Sequence, residues 1–203
     1  DSGLIVPLTK WVMAQACRQA CLWQAAGLPK ICISVNVSAI DFRQRDFVDS
    51  IELILKQTGM QPTLLELEIT EGVLMQNVDA TVTALNRIKA LGVRLAIDDF
   101  GTGYSSLSYL RRFPIDVLKI DQSFIRGLHR DSSDAALVSA IISLGKSLKL
   151  TVIAEGIETL EQLEFLKSHD CEEGQGYYFC KAVAPDAFAH YLMLVKPLPS
   201  AQS

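Results

Sequence analysis

Only 7 prolines and 12 glycines occur among 203 residues, and with 21% charged and 49% apolar residues this excludes a collagen-like, disordered or low-complexity chain. An excess of positive charge is also missing, since 19 Lys and Arg face 23 Asp and Glu, a net charge of −4. General electrostatic attraction to a DNA or RNA duplex or to an anionic membrane is thereby excluded; an anionic ligand would need positive charge supplied locally. No apolar run approaches the roughly 20 residues of a membrane span, and the start, Asp1-Ser2-Gly3-Leu4, is not a signal peptide. The five cysteines, Cys17, Cys21, Cys32, Cys171 and Cys180, are odd in number and scattered. No second pair or nearby histidine completes a metal site around Cys17 and Cys21, so the thiols read as free, in a reducing cytoplasm. His129, His169 and His190 read as surface or packing residues. Without an initiator methionine, the chain is expected to be a piece of a longer polypeptide.

What is present is apolar material, 49% of the chain, in alternating helical and strand patterns. Helices are expected over Leu8–Ala26 (inward stripe Val12, Ala16, Ala20), Phe47–Thr58, Val78–Leu91, Ser133–Leu148 (Leu137, Ile141, Leu144, Leu148 inward), Leu160–Lys167 and from Pro185. Strands are expected over Ile31–Asn36, Leu64–Thr70, Val93–Asp98, Asp116–Ile120, Thr151–Glu155 and Cys171–Gln175. Such alternation predicts a parallel sheet covered by helices. A closed (β/α)8 barrel needs two more strands and typically about 250 residues, whereas an open doubly wound sheet accepts six, so the count alone leaves both available. Leu198–Ser203 reads as a flexible tail.

Residues two apart on a strand share a face, and every expected strand delivers a polar side chain at or near its end: Asn36, Glu68, Asp98, Lys119, Glu155 and Gln175. Strand ends also turn polar simply on re-entering solvent, but six in six, with an adjacent Asp98-Asp99 pair, favours a shared rim where barrel active sites lie. Clustered acids with one amide and no His or Cys set suit a hard cation such as Mg2+ or Mn2+ rather than zinc. Without a cation the like charges would resist joint ionisation. Two such ions can share a carboxylate and clamp a phosphodiester, supplying the positive charge this chain lacks.

The run Asp98-Asp99-Phe100-Gly101-Thr102-Gly103-Tyr104-Ser105-Ser106-Leu107 resembles the signature loop of EAL-domain cyclic di-GMP phosphodiesterases. Asn36-Val37-Ser38, Glu68-Ile69-Thr70-Glu71, Lys119-Ile120-Asp121, Ala154-Glu155-Gly156-Ile157-Glu158-Thr159, Gln175-Gly176-Tyr177 and Phe179 extend the likeness in order. The resemblance implies a TIM-like (β/α)8 barrel of which six strands are visible and the first two are missing, over residues 1–197. It implies hydrolysis of cyclic di-GMP to the linear dinucleotide pGpG with two Mg2+ or Mn2+ ions. Asn36, Glu68, Asp98 and Asp99 resemble the metal ligands, with Asp98 shared. Lys119 resembles the lysine holding the nucleophilic water, Glu155 a second-metal ligand or general base, and Gln175 a residue orienting water or ligand. Glu71 is similar to the glutamate anchoring the loop after Asp99, in which Ser105 and Ser106 can cap a short helix. Asp121, Gln175, Tyr177 and Phe179 fall on the substrate-binding side.

The name-giving Glu-Ala-Leu motif, its metal-binding glutamate and a nearby phosphate-contacting arginine would lie upstream of Asp1. Lys181-Ala182 stands where the family usually has a basic residue followed by Pro, and Asp41 replaces a common Gln before Phe42. A homodimer, fused sensory or GGDEF-type domains upstream, and a cytoplasmic module of a larger, even membrane-anchored, protein are expected from the resemblance. The alternatives are an inactive cyclic di-GMP receptor or dimerisation module, and an unrelated barrel enzyme using Lys119 as a Schiff base.

Overall fold

The structure is a computed structural model and describes residues 3–75, 78–103, 110–128 and 132–194. The expected tail at Leu198–Ser203, the loop residues Tyr104–Leu107 and His129 lie outside the described residues. The chain runs α1 (Ile5–Ala25), β1 (Ile33–Val37), α2 (Ala39–Phe42), α3 (Phe47–Thr58) and a 3-10 turn (Pro62–Leu64). It continues through β2 (Leu65–Thr70), α4 (Glu71–Leu74), α5 (Val78–Ala90), β3 (Arg94–Phe100), β4 (Val117–Ile120) and α6 (Gln122–Gly127). Then come α7 (Ser132–Leu148), β5 (Thr151–Ala154), α8 (Leu160–Ser168), β6 (Glu173–Gly174) and α9 (Pro185–Leu194).

All six strands pair in parallel, in the order β1-β2-β3-β4-β5-β6. Right-handed crossovers that always advance the same way put every helix on one face of the sheet. That is the wall of a (β/α) barrel; a doubly wound sheet would reverse its order and carry helices on both faces. Side-chain alternation then sorts the residues. Val35, Val37, Leu65, Leu67, Ile69, Leu95, Ile97, Leu118, Ile120 and Val152 pack with Met13, Ile51, Leu55, Leu85, Ile88, Val138 and Ile141 in one buried core. Ser34, Asn36, Glu66, Glu68, Ala96, Asp98 and Lys119 take the opposite, inner face.

Two helices keep most of their expected stripes, Ala16 and Ala20 in α1 and Ile141, Leu144 and Leu148 in α7, but each turns one expected residue outward. In α1 the buried residues are Thr9, Met13, Cys17 and Ala20, while Val12 is exposed, a rotation of about one position. The cause is Asp41, fully buried, which accepts a hydrogen bond of 3.1 Å from Thr9 Oγ1 and pulls that polar residue inward. In α7, Val138, Ile141 and Ile142 are buried and Leu137 is 37% exposed. α1 also starts before Leu8, because Pro7 in its first turn removes only an N–H that has no intrahelical acceptor. At the far edge β6 keeps just two residues, although Gln175 N still donates to Ala154 O at 2.9 Å. Gly176 follows so closely that a Cβ there would lie 2.2 Å from Ile157 O. Only glycine lets Tyr178 N reach Ile157 O, at 2.9 Å, and turn the chain over the sheet.

Candidate active site

Strict alternation along β3 would send the neighbours Asp98 and Asp99 to opposite faces. A bulge prevents it: Ile97 pairs with Leu118 and Phe100 with Ile120, so both acids stand opposite Lys119 alone. Asp99 makes the extra step at φ 53°, a left-handed conformation that Asp tolerates better than most residues. Asp98, Asp99 and Glu155, from the ends of β3 and β5, thereby offer carboxylate oxygens all within 4.8 Å of one another.

Lys119 stands at the centre of this rim, 3% exposed. Its Nζ reaches Glu68 Oε1 at 2.8 Å and Asp98 Oδ1 at 3.1 Å, and also pairs with Glu155 Oε1. Asn36 is the register partner of Glu68, on the same face of the neighbouring strand. Gln175 Nε2 donates to Glu155 Oε1 at 2.6 Å. Burial alone would depress the Lys119 ammonium, but hydrogen bonds and charge from Glu155 and Glu68 outweigh it and hold its pKa above an ordinary lysine. Burial raises the Glu155 carboxyl against the lowering pull of Lys119, with Asp98 and Glu68 adding to the rise. Burial, a hydrogen bond with Asp121 and the charge of Asp98 raise Asp99. Asp121 itself is held low, since hydrogen bonds from Ser123 overcome its burial; it caps α6, accepting from Ser123 N at 2.9 Å.

Four carboxylates (Glu68, Asp98, Asp99, Glu155) around one ammonium leave three negative charges uncompensated. An all-oxygen set of this charge fits hard divalent cations, and a second ion would still find acid to balance it. Among the described residues no cysteine or histidine joins the cluster; Cys21 Sγ instead lies 4.0 Å from Met60 Sδ.

Glu71 lies beneath the next stretch of chain, 4% exposed. Its Oε2 accepts from Gly101 N at 3.4 Å, its Oε1 has no hydrogen-bond partner among the described residues, and a Cβ at Gly103 would lie 2.6 Å from that oxygen. Glu71 and the 101–103 backbone therefore fit only while position 103 carries no side chain. A cavity of about 520 Å³ opens beside the cluster; Glu155, Gln175 and Tyr177 line it together with Gln122, Arg126 and Glu158. Phe179 is not brought there: it lines a separate hollow of about 420 Å³ with Ile157, Leu163 and Leu166.

The family model for the EAL domain matches residues 1–182. The chain belongs to the EAL-domain family. This EAL domain is 47% identical over 176 residues to "Bifunctional diguanylate cyclase/cyclic di-GMP phosphodiesterase MucR" of Pseudomonas aeruginosa, covering 87% of the chain and 26% of MucR. The chain spans about a quarter of the length of the curated relatives it matches. It superposes on "PaMucR Phosphodiesterase, c-di-GMP complex" with a TM-score of 0.89 at 45% identity, covering 92% of this chain and 75% of that one. On "Klebsiella pneumoniae BlrP1 pH 9.0 manganese/cy-diGMP complex" the TM-score is 0.77 at 30% identity, covering 85% and 44%. The fold is thus the TIM-barrel-like one of EAL domains, and a divalent ion accompanies the nucleotide in the manganese relative.

Gln122 and Arg126 were not singled out from the sequence, and Glu158 stood in a family motif without a role of its own. Gln122 and Arg126 ride on α6 and Glu158 on the turn before α8, where no strand periodicity points. The signal available was position, since each follows the end of a rim strand within a few residues. One consequence of the geometry concerns Asp99. Asp99→Asn keeps a side chain suited to φ 53° while removing a charge from the cluster. Its expected effects are a higher melting midpoint in EDTA, by about 2 °C, and Mn2+ affinity at least about tenfold weaker. A lower midpoint in EDTA would contradict the cost of holding the Asp99 charge under burial and beside Asp121 and Asp98.

Proposed function

We propose that this EAL domain hydrolyses cyclic di-GMP to pGpG with two divalent ions, Mg2+ or Mn2+, as the whole protein's phosphodiesterase module. The observation that carries this reading is the meeting of Asp98, Asp99 and Glu155 within 4.8 Å, at the mouth of a cavity of nucleotide size. Asn36, Glu68 and Asp98 would hold one ion, and Asp98, Asp99 and Glu155 the other. When bound, the ions lower the pKa of a coordinated water and offset phosphodiester charge.

The remaining work falls to the chain's own groups. Lys119, whose three N–H donors face Glu68, Asp98 and Glu155, donates a hydrogen bond to the attacking water oxygen in place of one of these contacts. Glu155, steadied by Gln175, accepts the proton that water gives up. Water oxygen bonds to phosphorus, the P–O3′ bond breaks, the leaving 3′ oxygen takes a proton from solvent, and Glu155 returns the proton it accepted to solvent. Asp121 backs Asp99, Glu71 holds the Gly101–Gly103 backbone, and Tyr177 walls the cavity.

The catalytic domain is taken as residues 1–197, with 198–203 a tail, in a cytoplasmic module that dimerises and follows sensory or GGDEF-type domains. The double activity in MucR's name supports such a fusion. Among the described residues no helix is long and apolar enough to cross a membrane. Incubating the full protein with cyclic di-GMP and Mg2+ or Mn2+ tests the reading: pGpG forms, and EDTA stops it. Binding without cleavage would make the protein a receptor instead, and absence of binding would overturn both.

A further inference from the structure

Resting on that reading, we infer that Arg126 determines the base specificity of the site by reading the O6/N7 edge of a guanine lodged in the 520 Å³ cavity. The chain is acidic overall and the rim is ringed with carboxylates, yet Arg126 is the cation among the residues lining this cavity. A ligand whose phosphate sits at Glu155 projects its nucleoside into that space, because Glu155 belongs both to the carboxylate cluster and to the cavity wall.

The backbone that carries the guanidinium is held in place. Arg126 Nη2 lies 3.4 Å from Glu158 Oε1 across the cavity mouth. Both residues are fixed by one buried side chain, Gln162, 4% exposed. Its Oε1 accepts from Glu158 N at 2.7 Å and Thr159 N at 3.0 Å, while its Nε2 donates at 3.1 Å to the carbonyl of Ile125, the residue before Arg126. α6 and the start of α8 are thus clamped to each other, and the ends they present are Arg126 and Glu158. The Tyr177 ring supplies a wall for the base, with Lys181 Nζ over it at 5.4 Å from the centroid.

An arginine fork has five N–H donors, and the Glu158 pair uses one of them. Guanine offers two acceptors, O6 and N7, at the spacing of that fork. Adenine offers a donor, its N6 amino group, in place of O6, so the same fork meets donor with donor. Arg126 therefore favours guanine and disfavours adenine through one contact. Being 59% exposed in its side chain, it can be replaced without disturbing the core.

The test is a comparison of the full protein with its Arg126→Gln and Arg126→Lys variants, using cyclic di-GMP as substrate and cyclic di-AMP as competitor. In Arg126→Gln the KM for cyclic di-GMP is expected to rise about 10–100-fold. The same variant should keep kcat within about threefold, while the Ki of cyclic di-AMP falls because the clash of donor with donor is gone and glutamine suits the adenine edge, so that discrimination collapses. Arg126→Lys should not restore it, because a single ammonium lacks the planar fork. An unchanged KM overturns the inference. So does a parallel rise of KM and Ki, which would mean a phosphate contact common to both nucleotides. If the unsubstituted protein binds but does not cleave, dissociation constants replace KM with the same expectations; if it binds neither nucleotide, the proposed function falls first and this inference with it.

Discussion

Lys119→Met is expected to destabilise the metal-free protein by about 3–5 kcal/mol, the cost of leaving buried charges without their partner. The ammonium is 3% exposed and faces Glu68, Asp98 and Glu155 at once, so its loss strands three carboxylates on the inner face of the sheet. Methionine matches the length of the stem and leaves little cavity, which isolates the charge effect. Urea unfolding in EDTA and in Mn2+ measures it: the deficit should be large in EDTA and much smaller with Mn2+, whose charge does what the ammonium did. A deficit under about 1 kcal/mol in EDTA would place those pairs with ordinary surface ones and contradict the geometry.

pH should modulate the same deficit in a direction that follows from the shifted groups. Burial, first, raises both Glu155 and Glu66, and Asp99 is raised by burial, Asp121 and Asp98, from ordinary values of 4.5, 4.5 and 3.8. The folded chain binds these protons more tightly than the unfolded one. Their contribution to stability is therefore fully present below the ordinary carboxylate range and is lost as pH rises through the raised values. Lys119, held above an ordinary lysine, contributes at full strength throughout that acid window. In Lys119→Met the carboxylates protonate more readily still, so the deficit should shrink on acidification.

Asp98→Asn should do the reverse. It is expected to lower turnover of cyclic di-GMP by at least about 10³-fold, equivalent to about 4 kcal/mol of transition-state stabilisation. Asp98, like Glu155, belongs both to the carboxylate triad and to the Lys119 pairs, and Asn keeps its shape while removing its charge. Metal-free stability should be retained, since Lys119 still faces Glu68 and Glu155. Steady-state kinetics in Mn2+ and unfolding in EDTA separate the two effects; turnover within tenfold of the unsubstituted protein would remove Asp98 from the reaction.

These residues were legible in the sequence because strand alternation is rigid. Once Leu65, Leu67 and Ile69 face the helices, Glu66 and Glu68 must face inward, and Ala96, Asp98 and Lys119 follow by the same rule. The rule breaks at Asp99. Period two sends it away from Asp98, and only the bulge at φ 53° returns it to the rim. α2 (Ala39–Phe42) and α4 (Glu71–Leu74), four residues each, span barely one turn and leave no 3.6-residue pattern to find. The α1 stripe was partly misplaced because a buried Thr9, partnered by Asp41 from another element, looks like a surface residue when read alone. Arg126 and Glu158 escaped for a related reason: their meeting depends on Gln162, a polar residue buried far along the chain from Ile125, whose carbonyl it holds.

Anomalous diffraction from crystals soaked in Mn2+ and cyclic di-GMP puts the convergent oxygens to the test. Two manganese peaks about 3.5–4 Å apart are expected, with an Asp98 oxygen shared between them and Asn36, Glu68, Asp99 and Glu155 completing the shell. A nucleotide bound with no manganese among these side chains, or manganese bound only elsewhere, would contradict the two-ion site and the hydrolysis built on it.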